Sequence, residues 1–132
     1  MVKNKTTAGD PQFEIAFFEN VLKHSPDFIE ALAALAELYT KKGLYEKGLE
    51  LDLRLARLRP DDPVVQYNLA CSLSLVGDIA GAFAAVKRAF QAGYEDFAHL
   101  EKDRDLLNLF SDAAFQEYYR GLKPARGTGK RA

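Results

Sequence analysis

Glycine recurs at a fixed step in this chain: Gly9, Gly43 and Gly77 stand 34 residues apart, and Pro26 and Pro60 share the step. The same interval joins Leu35 to Leu69, Ala36 to Ala70, Asp27 to Asp61 and Gly48 to Ala82. A period of that length, carrying apolar, small and capping residues together, marks a repeated supersecondary unit. Such a unit buries its apolar face only by stacking on its neighbours.

The local signals inside each period are helical. Asp10-Pro11 and Asp62-Pro63 each offer an N-cap followed by proline at the first helical position. Asp27 with Glu30 reads as a cap with an acid three residues on, and Asp78 as a further cap. Ser25-Pro26 and Arg59-Pro60 break helices, while Gly43, Gly77 and Gly93 supply left-handed stops. Five helices are predicted, over about 11–24, 28–42, 44–58, 64–76 and 79–92, with connections too short for anything but antiparallel neighbours. No alternating β-branched run competes, and Ala31 to Leu38 strongly favours helix. The expected fold is all-α: a right-handed superhelical array of antiparallel helix pairs.

Residues 11–92 resemble the tetratricopeptide repeat family, whose unit is a helix A, a tight turn and a helix B. The resemblance rests on Leu69, Ala70, Gly77, Ala82 and Ala89 in one unit. In the other it rests on Leu32, Leu35, Ala36, Tyr39, Gly43, Gly48 and Pro60. It implies a flexible N-terminus (1–9), a half repeat (10–26), full repeats (27–60 and 61–94), a capping segment (95–122) and a basic flexible tail (123–132). The cap is expected to close the array with Phe97, Leu100, Leu106, Leu107, Leu109, Phe110, Phe115 and Tyr118. Asp52 departs from the family pattern at an apolar helix-B position. Its expected partner is Arg54, Tyr67 or Asn68, because an unpaired buried charge is costly.

In that family the A helices line a concave groove. The matching residues are Glu30, Ala33, Glu37 and Lys41 on one helix, then Val64, Tyr67, Asn68, Cys71 and Leu75 on the next. The resemblance implies a partner protein or peptide held there. Tyr67, Cys71 and Leu75 form a stripe at four-residue spacing, either packed under the capping segment or open as a pocket for an apolar side chain. One subgroup grips chaperone C-termini with lysine, asparagine and arginine. Of the matching positions Ala33, Glu37, Asn68, Ala98 and Lys102, only Asn68 agrees, so a basic segment with an apolar anchor suits this groove better than a carboxylate.

The half repeat leaves its helix without an A partner. At about 100° per residue its apolar side chains spread over roughly 260° of the circumference. Phe13, Phe17 and Phe18 are therefore candidates for self-association into a homo-oligomer.

Composition narrows the function classes. The net charge is −1 with both signs interspersed, which provides no field for nucleic acid or an anionic membrane. Cys71 is the only cysteine and Met1 to Asp10 lacks an apolar run, so a reducing, cytoplasmic setting without an export signal is expected. No catalytic, cofactor or metal constellation stands out. His24 and His99 are the only histidines, a Cys71 to His99 dyad is a remote reading, and Glu95, Asp96, Glu101, Asp103 and Asp105 lack the glycine and final glutamate of a calcium loop. No enzyme and no cofactor are expected.

Overall fold

The computed structural model describes residues 10–131, with side chains through Leu122. Five regular helices follow one another: α1 (Pro11–His24), α2 (Ile29–Lys41), α3 (Tyr45–Leu58), α4 (Pro63–Leu75) and α5 (Ile79–Gln91). Then come the short α6 (Phe97–Lys102), a 3-10 turn (Arg104–Leu106), α7 (Leu107–Phe110) and the terminal α8 (Ala113–Arg131). No strand occurs among the described residues. The fold is an all-α solenoid of antiparallel helix pairs.

The punctuation acts through backbone hydrogen bonds. Asp62 Oδ1 accepts from the amides of Val64 and Val65 at 2.9 and 3.2 Å, Asp10 Oδ1 accepts from Gln12 at 3.1 Å, and Asp78 Oδ1 from Gly81 at 2.9 Å. At the helix ends, Gly43 and Gly77 adopt φ of 82° and 89°. Each turn closes the same way. The Gly43 and Leu44 amides donate to Thr40 and Tyr39 carbonyls, and 34 residues on the Gly77 and Asp78 amides donate to Ser74 and Leu73. This paired closure satisfies carbonyls the helix end would leave bare and aims the next helix back along the last. It is the structural form of the sequence period.

Asp27 does not cap α2. The Phe28 amide donates to the Ser25 carbonyl, closing a turn that makes Phe28 the N-cap and starts the helix at Ile29, without a side-chain cap. Asp27 instead lies 3.9 Å from Arg54 on α3.

Each hairpin buries its own apolar layer. Ile15, Leu32, Leu35, Tyr39, Leu51 and Leu55 form one cluster; Leu69, Ala70, Ala82, Ala85, Val86 and Ala89 form another, roofed by the capping segment. Leu100, Leu106, Leu109 and Phe115 of that segment are fully buried, with Phe97, Phe110 and Tyr118 packed against them. Leu107 is not part of the cover, being 59% exposed. Tyr119 takes a place instead, one turn beyond Phe115, with its hydroxyl donating to Glu101 at 2.6 Å. The cap is fastened to α4 by polar contacts as well. Asn108 Nδ2 donates to the Ser74 carbonyl at 2.9 Å, and the Leu109 amide to Ser74 Oγ at 3.2 Å.

Residues 1–9, expected as a flexible N-terminus with Gly9 as a turn, lie outside the described residues. The backbone of 123–131, expected as a tail, continues α8.

Candidate functional site

Helices α2 and α4 lie side by side on the inner face of the array, and the start of the cap folds over the far end of α4. Together they enclose a hollow of about 410 Å³. Ala33, Glu37 and Lys41 line it from α2, and Tyr67, Asn68 and Cys71 from α4. Six of the nine groove residues read from the sequence thus converge. Glu30, Val64 and Leu75 do not line the hollow.

Small side chains make the space. Ala33, Ala34 and Ala36 leave the α2 wall low, so the floor reaches through to α3, where Asp52 lies only 5% exposed. Its partner is Ser72 of α4, whose hydroxyl donates to Asp52 Oδ2 at 2.5 Å. None of the three expected partners pairs with Asp52. Arg54, two residues on, points to the other side of α3 and donates to the Pro26 carbonyl at 2.9 Å; Tyr67 is engaged by the cap; Asn68 is exposed. Burial pushes the Asp52 carboxyl up to about 7, against the opposing pull of the Ser72 bond.

The C-terminal wall is a polar knot around Asp103. Its Oδ2 accepts from the Tyr67 hydroxyl, and Cys71 Sγ lies 3.7 Å and His99 Nε2 3.4 Å from the same oxygen. Asp103 Oδ1 meanwhile caps the 3-10 turn through the Asp105 amide at 3.0 Å. The Tyr67 ring stacks on Tyr94 with centroids 4.6 Å apart. Tyr67 and Cys71 are thereby buried beneath the capping segment, the packed alternative for their stripe, and Leu75 lies apart from the hollow. Burial, with Asp103 and Asp105 nearby, raises the Cys71 thiol well above its ordinary range. That is the reverse of what a nucleophile needs. Asp105 is raised too, first by burial and then by Asp103.

Cys71, Asp103 and Asp105 bring ligand-type atoms within 4.8 Å of one another. Tyr67 and the thiol already claim Asp103 as a hydrogen-bond acceptor, so Tyr67, Cys71 and Asp103 form an internal clasp between α4 and the cap. Ala34, Ala36 and Thr40 of α2 also line the hollow, as do Asp52, Ser72, His99, Asp103 and Asp105, which lie outside the groove face read from the sequence. Asp52 signalled itself as a break in an apolar pattern, and the cap residues lie outside the period altogether.

On α1, Ile15 is buried and Phe18 packs against the N-terminal cluster, meeting Phe17 edge-on at 5.1 Å. Phe18 therefore leaves the expected association face. Phe13 and Phe17 stay on it, 50% and 53% exposed. No helix among the described residues is long and apolar enough to cross a membrane.

Stacked hairpins closed by glycine turns, with a hollow on the A-helix face, define a tetratricopeptide solenoid. Residues 8–71 match the tetratricopeptide repeat family model, so the chain carries tetratricopeptide repeats. It is 32% identical over 74 residues to a chloroplastic protein of Arabidopsis thaliana, a match covering 54% of this chain and 22% of that one. It is 31% identical over 125 residues to the CTR9 homolog of the same plant, covering 92% of this chain and 11% of that one. The chain thus spans about a fifth or less of the length of these relatives. Two crystal structures of MamA superpose with TM-scores of 0.62, at 25% and 26% identity; the matches cover 69% and 67% of this chain and 50% and 52% of those chains. Folds of this family generally mediate protein–protein interaction and are typically non-catalytic.

Proposed function

We propose that this chain is a protein-interaction module that holds a segment of a partner protein in the hollow between α2, α4 and the cap, and that it is not an enzyme. The observation that carries this reading is the hollow itself: a concavity of about 410 Å³ on the A-helix face, with small alanine walls and polar groups converging from three sides. Such sites bind by a few anchors in a preformed cleft. The balanced net charge of −1 favours a protein partner over nucleic acid or membrane. The single cysteine supports a reducing, cytoplasmic setting, which microscopy of a tagged chain checks.

Ala33 is exposed and lines the hollow, so Ala33→Trp fills the site without touching the core. The tagged chain and this variant are each used to capture partners from source cells. A partner retained by the parent and lost on Ala33→Trp supports the reading; an unchanged set of partners rejects it.

A second reading, homo-oligomerisation, is favoured by the outward stripe Phe13, Ala16 and Phe17 on α1. Light scattering at high concentration decides it. A species larger than the monomer that returns to monomer in Phe13→Asp/Phe17→Asp supports assembly through α1, and a monomer throughout removes it.

A further inference from the structure

We infer that the hollow receives a lysine or arginine side chain from an extended partner segment, with Asp52 on the floor and Asp105 on the C-terminal wall taking the cation. This rests on the groove reading above and narrows it to one class of partner.

The balance of charge within the hollow points there. Glu37, Asp52, Asp103 and Asp105 line it, against Lys41 and His99 as the basic groups. Lys41 stands 3.3 Å from Glu37 with both side chains exposed, and His99 leans on Asp103. Asp103 is also taken by Tyr67 and Cys71. That leaves Asp52 and Asp105, and neither pairs with a cation among the described residues. Arg54 is committed to Asp27 and the Pro26 carbonyl, and Arg88 donates to Gln66 at 3.0 Å.

Asp52 is the sharper half of the pair. A carboxylate so deeply buried with one neutral donor is poorly compensated when ionised. It still opens into the hollow, so a cation delivered from outside can reach it. Charge pairing in such a desolvated place is stronger than on an open surface. The shape agrees with the charge, because the methylene stem of lysine or arginine would run along Ala33, Ala34 and Ala36 while its head reached the floor. A carboxylate-terminated segment would instead meet Asp52 and Asp105, which no cation offsets among the described residues.

The titration of the floor has a matching consequence. Burial holds the Asp52 carboxyl near 7, so in mildly acidic solution it keeps its proton. An arriving cation displaces that proton to solvent, and binding tightens as pH rises through about 7. Glu37, Lys41, His99, Asp103 and Asp105 face the same hollow as further charged or titratable groups, while Tyr67 and Cys71 face it neutral, their ionisation pushed up by burial.

Randomised peptides of about a dozen residues, displayed on phage, test the assignment when selected against the full chain near pH 8. Retained clones are then measured on Ala33→Trp and Asp52→Asn, with circular dichroism to confirm that both variants keep the helical fold. The expected result is a lysine or arginine at one aligned position in clones that lose binding on Ala33→Trp. Affinity should fall about tenfold or more on Asp52→Asn. Clones that need the hollow yet carry no shared basic residue, or that ignore Asp52→Asn, overturn the cation pocket and leave the groove reading standing. If no clone depends on the hollow, the groove reading falls and the pocket with it.

Discussion

The hydroxyl of Ser72 donates to Asp52 Oδ2 across the seam between α3 and α4, 2.5 Å away, with both residues buried at the floor of the hollow. This bond joins the two repeats at the one place where an apolar position carries a charge. Burial outweighs it, raising the carboxyl from 3.8 to about 7. Between those values the folded chain holds a proton that the unfolded chain has released. Stability therefore falls as pH rises from about 4 to about 7, and levels off above. Asp52→Asn removes this titration. The variant should match the parent near pH 4 and exceed it by a few kcal/mol, to order of magnitude, near pH 8. Tm measured across that range checks it; a constant difference at every pH would contradict it. Asp105 is shifted the same way, so only the difference between the two curves isolates Asp52.

Tyr67→Phe keeps the ring stacked on Tyr94 but removes the hydroxyl that Asp103 accepts. The part-buried carboxylate then loses its best donor, at a cost of about 1–3 kcal/mol. The loss should be local: hydrogen exchange should accelerate for the amides of 100–110 more than for α2.

Gly48 sits under α2, where an added Cβ would lie 2.8 Å from Thr40 Oγ1 and 3.3 Å from the Ala36 carbonyl. Rotating Thr40 away would break its own 2.9 Å bond to that carbonyl. Gly48→Ala alone should therefore lower Tm, despite the better helix propensity of alanine. In a Thr40→Ala background the same change should cost less, because only the 3.3 Å approach to the Ala36 carbonyl remains to set against alanine's better helix propensity. Additive melting shifts would show that the contact is not limiting.

Phe115 is fully buried and meets Phe83, Phe110 and Tyr119 ring to ring, with centroids 5.0–5.8 Å apart. Phe115→Ala should cost about 3–5 kcal/mol in urea unfolding. Leu107→Ala, on the exposed side of the same segment, should cost little. Equal losses would mean that the cap is held some other way.

The repeated part of the fold is legible in the sequence because glycine, proline and aspartate act within a few residues of where they stand. Gly43 and Gly77 announce their turns, and Asp62-Pro63 announces α4. Asp27 misleads for the same local reason: a backbone turn from Phe28 to Ser25 competes for the cap and moves the helix start by one residue. The site is less legible. Helical register finds Ala33, Glu37, Asn68 and Cys71, since they share the inner face. It cannot find the Asp52 to Ser72 bond, which depends on how α3 settles against α4. Nor can it rank Leu107 against Tyr119, because the cap has no period to count by.

That division of labour separates what this molecule can change from what it must keep. Residues of the repeats sit in a layer shared by adjoining helices, so a substitution at Ala36 or Ala82 is felt by the neighbours that share that layer. Asp103 is tied to Tyr67 and Cys71 of α4 and to the 3-10 turn, whereas no ion pair holds the Asp105 side chain among the described residues. If the proposed pocket holds, the C-terminal wall is therefore most freely recut at Asp105, where charge changes without loosening the cap.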